Sequence, residues 1–146
     1  MKKTFFKLAI LLFIGFNCTS VSESTISDKL LITVSNIKSA EGNIMIAIYD
    51  ADQEFLGQEM VTGKVERVTQ TGEMTIVIDD LPFGEYAISI YHDENANENL
   101  DTNLFKLPTE PYGFSNDARG TFGPPSFEDS KIIFNSNQRE FSIQLK

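Results

Sequence analysis

The sequence predicts an all-β fold, a sandwich of about seven short strands with one long ordered loop. Three observations carry this expectation. Apolar and polar residues alternate at the two-residue period of a half-buried strand, in segment after segment between Leu30 and Leu145. Turn-forming residues punctuate those segments at Glu41-Gly42-Asn43, Gln70-Thr71-Gly72 and Leu81-Pro82-Phe83-Gly84. Helical periodicity is nearly absent, and only Asp52 to Leu56 looks even briefly helical.

The elements follow in order. Leu30, Ile32 and Val34 alternate with Leu31, Thr33 and Ser35, giving a first strand. Asn43 to Asp50 is apolar on both faces, as a central strand would be. Val61 to Val68 is a weaker, more polar strand. From Glu73 to Asp79, Ile76 and Ile78 stand against Thr75 and Val77. From Tyr86 to His92, Tyr86, Ile88 and Ile90 share one face. Ile132 to Phe134 and Phe141 to Leu145 close the series, joined by Asn135-Ser136-Asn137-Gln138. The breaks at Gly42 and Gly72 read as hairpin-like. Leu81-Pro82-Phe83-Gly84 places Pro second and Gly fourth, a type I turn pattern.

No strand pattern is evident from Asp93 to Asp129. Structureless connections beyond roughly 15 residues are uncommon unless they are functional or ordered by something else. This one holds Pro108, Pro111, Pro124, Pro125, Gly113, Gly120 and Gly123, together with the rings of Phe105, Tyr112, Phe114, Phe122 and Phe127. So many aromatics on a disordered linker would be costly to solubility. The expectation is a folded-back loop that packs its rings on one end of the sandwich.

The N-terminus reads as a signal peptide over residues 1–20. Lys2, Lys3 and Lys7 precede an apolar run from Leu8 to Phe16, which is of secretory length and too short to span a membrane. Cys18, the only cysteine, ends that run and is a candidate for lipid attachment. Gly15-Phe16-Asn17 before it departs from the usual Leu-Ala-Gly, so plain secretion is the favoured reading, with a lipid-anchored envelope protein as the alternative. Residues 21–28 read as a tether and 29–146 as a single domain. The net charge is −9, and beyond the leader it lies near −12, because three lysines and no acids fall in the first twenty residues. So acidic a surface argues against nucleic acid and anionic membrane as partners, and suits cations or simple solubility.

Asp93-Glu94-Asn95-Ala96-Asn97-Glu98-Asn99-Leu100-Asp101 spaces oxygen-bearing residues as an EF-hand Ca²⁺ loop does. With Asp93 at position 1, Asn95, Asn97, Asn99 and Asp101 stand at 3, 5, 7 and 9, and Leu100 is the apolar position 8. Asp93, Asn95, Asn97 and Asp101 offer side-chain oxygens and Asn99 its carbonyl. Two positions depart from the pattern: Glu98 replaces the Gly of position 6, and Leu104 replaces the bidentate Glu of position 12. A further carboxylate must come from Glu94, Glu98 or Glu110. The competing reading is an Asn-rich loop whose short amides satisfy their own backbone through Asx-turns.

Other chemistry finds little support. His92, the only histidine, has no nucleophile-elbow serine to serve, because Gly113-Phe114-Ser115-Asn116 lacks the closing Gly. A histidine at a strand end is expected to be packed or hydrogen-bonded. Zinc lacks its usual Cys and His ligands. Asp79-Asp80 and Glu128-Asp129 sit at strand ends or turns, where acids are usually solvated.

One resemblance is specific. Leu81-Pro82-x-Gly84-x-Tyr86-Ala87, His92-Asp93-Glu94-Asn95-x-Asn97, Leu100-Asp101-Thr102-Asn103, Pro108-x-Glu110-x-Tyr112-Gly113-Phe114-Ser115-Asn116 and Gly123-Pro124-Pro125-Ser126-Phe127 follow one another. In that order they resemble the bacterial domain-of-unknown-function family 2141, over about Leu30 to Lys146. The resemblance implies an immunoglobulin-like or transthyretin-like sandwich exported in Gram-negative bacteria, with no established activity. It also implies a Gly where Glu98 stands. The expected role is a non-catalytic binding or structural one at the cell envelope, periplasmic or extracellular, with Asp93 to Phe127 as the recognition surface. The rival is a hydrolase or carbohydrate-active enzyme using Glu94, Asp101 and Glu110.

Overall fold

In the computed structural model, residues 27–146 other than Gln53 are described. The expected signal peptide, lipid attachment at Cys18 and most of the tether lie outside the described residues. The chain forms β1 (Ser27–Ile37), β2 (Asn43–Tyr49), β3 (Thr62–Arg67), β4 (Gly72–Pro82), β5 (Gly84–Asp93), β6 (Tyr112–Phe114), β7 (Lys131–Phe134) and β8 (Glu140–Gln144). Two short helical turns, Ser115–Asp117 and α1 (Phe127–Ser130), complete it.

The strands build an all-β sandwich of two sheets. One has the order β4-β1-β8, and the other runs β3-β2-β5, with β6 and β7 sharing the far edge of β5. Every pairing is antiparallel except β1 with β8. The period of two expected from sequence is what buries the core. Leu30, Ile32 and Val34 of β1, Ile44, Ile46 and Ile48 of β2, Ile76 and Ile78 of β4, and Ile88 and Ile90 of β5 form one buried cluster. Each such side chain contributes about 1.5–3 kcal/mol relative to exposure. A bulge after Ser35 puts Asn36 in the left-handed region (φ 65°) and lets Ile37 turn inward. The Asn36 Nδ2 amide then donates to the Leu145 carbonyl at 2.6 Å.

Four expectations are corrected. The breaks at Gly42 and Gly72 are not hairpins: β1 to β2 and β3 to β4 cross between sheets, as does β4 to β5 at Phe83. Turn residues say where a chain reverses, not which strand it then meets. Gly42 is required at its turn by a φ of +70° and by space, since a Cβ there would lie 1.9 Å from the Asp93 carbonyl oxygen. Secondly, the long connection does contain a strand, β6. At three residues, with Pro111 before it, β6 is too short to show a period. Gly113 at its centre passes over β8, where a Cβ would meet the Gln144 carbonyl at 2.8 Å. Thirdly, Asp52 and Glu54 to Leu56 form turns, whereas the described α-helix is α1, capped by Ser126 Oγ accepting from the Asp129 N–H at 3.1 Å. Lastly, the final two tether residues, Ser27 and Asp28, pair with Pro82 and Leu81 as the start of β1. Among the described residues no helix is long and apolar enough to cross a membrane.

Candidate binding groove and the acidic loop beside it

The central strands of the larger sheet are apolar on both faces, so the outer face also needs a cover. With Ile44, Ile46 and Ile48 inward, Met45, Ala47 and Tyr49 of β2 point out, and Ala87, Ser89 and Tyr91 of β5 join them. A second apolar cluster forms there from Tyr49, Ala87 and Phe127, with Ala47 and Phe55 packed against it. Phe55 is the hub. Its ring lies edge-on to Tyr49 (5.5 Å), Phe127 (5.9 Å) and Phe114 (6.2 Å), and Phe114 continues to Tyr112 at 5.9 Å. Such pairs add about 0.5–1.5 kcal/mol each beyond burial.

Beside this cluster the same face opens into a groove of about 820 Å³. Its floor is Met45, Ala47, Ser89, Tyr91, Tyr112 and Phe114. Three connections form its lips: Leu56 and Met60 between β2 and β3, Glu98 to Pro108 between β5 and β6, and Gly120 to Pro124 before α1. The charged lining residues are Glu98 and Lys106. Burial pushes the Tyr49 phenol up, against a smaller opposing effect from Ser89, and pushes the Tyr91 phenol up with help from Asp93, Glu110 and Glu98. Both therefore stay neutral near pH 7.

The long loop thus folds back as expected, but onto the outer sheet face. Only Phe114 and Phe127 of its rings are buried, and Tyr112 is half-buried. Phe105 and Phe122 stand in solvent, at 84% and 101% exposure. The lip at Leu56 and Met60 was not foreseen. Its sequence signal was the apolar outer face of Asn43 to Asp50, which some other segment had to cover.

The sequence-predicted ligand residues come together at the root of this loop. Asp93 is fully buried; its Oδ1 accepts from the Asn97 N–H at 3.0 Å and its Oδ2 from the Glu98 N–H at 2.8 Å. Asn95 Oδ1 accepts from the Asn97 N–H (3.0 Å), and Asn97 Oδ1 from the Asn99 N–H (2.8 Å). These are the Asx-turns of the competing reading. The Asn95 and Asn97 amides donate to Asp101 Oδ2 (2.7 Å) and Oδ1 (3.2 Å). Of the three acids offered to complete the set, Glu110 joins the network. It is buried and grips the loop at both ends, accepting from the Glu94 N–H at 3.1 Å and the Asp101 N–H at 3.0 Å. Glu98 makes the sharp turn of position 6 without glycine, at a φ of 62°. Among the described residues no three His, Cys, Asp or Glu side chains group closely enough to hold a metal. An ion here would depend on amide and carbonyl oxygens as well.

His92 is fully buried, and its Nε2–H donates to the Glu41 carbonyl at 2.7 Å, tying the first crossover to the end of β5. Its Nδ1 lies 3.8 Å from Glu94 Oε1 without a hydrogen bond. Ser115, the one serine weighed as a nucleophile, is buried at the junction of β6 and β7. Its Oγ accepts from the Ile88 N–H at 2.9 Å and donates to the Ser130 carbonyl. Ile88 is the β5 residue that falls between the two edge strands, so Ser115 supplies the bond that neither strand can.

The chain is an all-β sandwich with a loop-bordered apolar groove on one face, and family membership follows from the sequence itself. Residues 32–142 match the family described as "Uncharacterized protein conserved in bacteria (DUF2141)", and the chain belongs to it. No curated protein and no solved structure matches the chain significantly.

Proposed function

We propose that this chain is an exported, non-catalytic binding domain of the cell envelope, and that its ligand site is the groove on the outer face of the larger sheet. The observation that carries the reading is the groove itself. At about 820 Å³ it is in the size range of small-molecule sites, and it is apolar apart from a few hydroxyls, Glu98 and Lys106. An apolar small molecule is the ligand class it suits. The acidic surface disfavours nucleic acid.

The hydrolase reading draws less support. Among the described residues, Glu98 is the only carboxylate lining the groove. Of the suspected acids, Glu110 is occupied by backbone N–H groups and Asp101 by the amides of Asn95 and Asn97. We also propose that Ca²⁺ stabilises the loop through Asp93, Asn95, Asn97, Asn99 and Asp101, the Asn95 and Asn97 amides turning away from Asp101 so that their oxygens and its own face the ion.

The test uses the neutral apolar fluorophore N-phenyl-1-naphthylamine. Its emission should rise saturably with the protein. Ala47→Trp, which fills the floor, should abolish the rise, and Met60→Glu, which puts charge on the lip, should weaken it. No saturable rise, or a rise that neither variant alters, rejects the groove as the site.

A further inference from the structure

Two of the groove's lips carry side chains that nothing in the described chain covers. Leu104 is 100% exposed and Leu107 59%, alongside Phe105 and Phe122. Scattered exposed apolar residues need no explanation, but four on two lips of one groove do. They are held outward by an ordered turn. Asn103 Oδ1 accepts from the N–H groups of Phe105 (2.9 Å) and Leu107 (3.1 Å). Asn103 N–H donates to the Leu107 carbonyl, and Lys106 N–H to the Asn103 carbonyl, both at 2.9 Å. A bridge between Thr102 and Pro108 closes the base, and Lys106 takes a left-handed φ of 60° to complete the turn.

Charge is distributed differently here from the rest of the molecule. The chain has a net charge of −9, yet from Asn103 to Thr109 the only charged residue is Lys106, and from Ala118 to Ser126 it is Arg119. Each of these two segments therefore carries one cation and no acid beside its apolar tip. A convex tip gives a folded partner little to close on. A lipid surface, by contrast, yields around separate side chains and offers phosphates to the cations.

We propose that the Leu104–Leu107 turn and Phe122 dock this domain onto a lipid surface, with Lys106 and Arg119 meeting lipid phosphates. The contact is interfacial and local, confined to these two tips. Because Lys106, Leu107, Gly120 and Gly123 also line the groove, docking sets the groove's mouth against the membrane. The proposal does not depend on the groove holding a ligand.

The experiment is vesicle flotation of the exported protein, purified after its leader has been processed and carrying Cys18→Ser, so that neither an acyl group nor the apolar Leu8–Phe16 run can hold it on the vesicle. Vesicles are phosphatidylcholine alone or with about 30% phosphatidylglycerol. The chain should float with both, and more with the anionic set, which would reverse locally, at Lys106 and Arg119, the expectation from net charge that anionic membrane is disfavoured. Leu104→Ser, Phe105→Ser and Phe122→Ser together should lower the bound fraction about tenfold. Fluorophore binding and melting temperature should stay unchanged, since none of the three residues lines the groove. Ala47→Trp should float like the parent, which separates failure of the groove from failure of docking. Three results overturn the proposal: no flotation of the parent with either vesicle, equal flotation of the triple variant, or a dimer in vesicle-free solution that the triple variant abolishes. The last would assign the tips to a contact between copies.

Discussion

Glu98 stores backbone strain that a single substitution should release. Its φ of 62° places an L-residue in the left-handed region, at a cost of about 1–2 kcal/mol. Glycine removes that cost but adds about 0.5–1 kcal/mol of unfolded-state entropy to be lost on folding. The net expectation for Glu98→Gly is a gain of about 0.5–1 kcal/mol. For a domain of this size that corresponds to a rise of roughly 1–4 °C in melting temperature. The bond from the residue 98 N–H to Asp93 Oδ2 is a backbone bond and survives the change. Charge is the confounding effect, because removing one acid from a chain of net −9 also relieves repulsion. Glu98→Ala separates the two: it removes the charge and keeps the Cβ in the strained region. Calorimetric melts of the three proteins, in chelator, decide the matter. A Gly variant that melts at or below the parent refutes the strain account. A rise equalled by the Ala variant assigns the gain to charge.

Calcium at about ten times its Kd should add roughly 1.4 kcal/mol and raise the melting temperature by about 3–6 °C, with Mg²⁺ doing less. Asp101→Asn is the better probe, since Asp93→Ala would itself orphan two backbone N–H groups; equal melts in chelator and millimolar Ca²⁺ leave the Asx-turn reading standing. Ser115→Ala should cost about 1–3 kcal/mol in urea unfolding, because it leaves the Ile88 N–H unsatisfied in the interior. An unchanged midpoint would mean that Ser115 does not hold the junction. In alkali, Tyr49, Tyr86 and Tyr91 have folded values raised above the ordinary 10, chiefly by burial. Their stability contribution is intact below that value and is lost as pH rises through the folded ones. The tyrosinate absorbance of these three should therefore appear together with the loss of far-ultraviolet β signal, and their full ionisation in a folded chain would contradict the raised values.

The core was legible because its signal is local. Period two in Leu30 to Val34, Ile76 to Ile78 and Tyr86 to Ile90 needs no knowledge of the partner strand. Strand pairing was not legible. Gly42 and Gly72 mark reversals in both a hairpin and a crossover, and the choice rests on which sheet receives the next apolar face. The members of the acidic loop were named from their spacing, and Glu110 was among the acids offered, but its grip on both loop ends depends on a fold-back that spacing cannot show. The groove was hardest, because its lips come from three connections that meet only over the finished sheet. Ser115 likewise acts at a junction of Ile88 and Ser130, residues that are distant in sequence.

The far edge of β5 is carried by two short strands laid end to end, with Ser115 at the seam. That division separates what can vary from what cannot. β7 aligns Ile132 and Phe134 into the core, and a change of register there would turn them out to solvent. β6 bears Tyr112 and Phe114 on the groove side and reaches its place through the Glu94–Pro111 connection. Insertions or substitutions in that connection can reshape the groove's lip and exposed tip while leaving the β7 register fixed. Chains of this architecture can therefore diversify what they touch on one face without renegotiating how they fold.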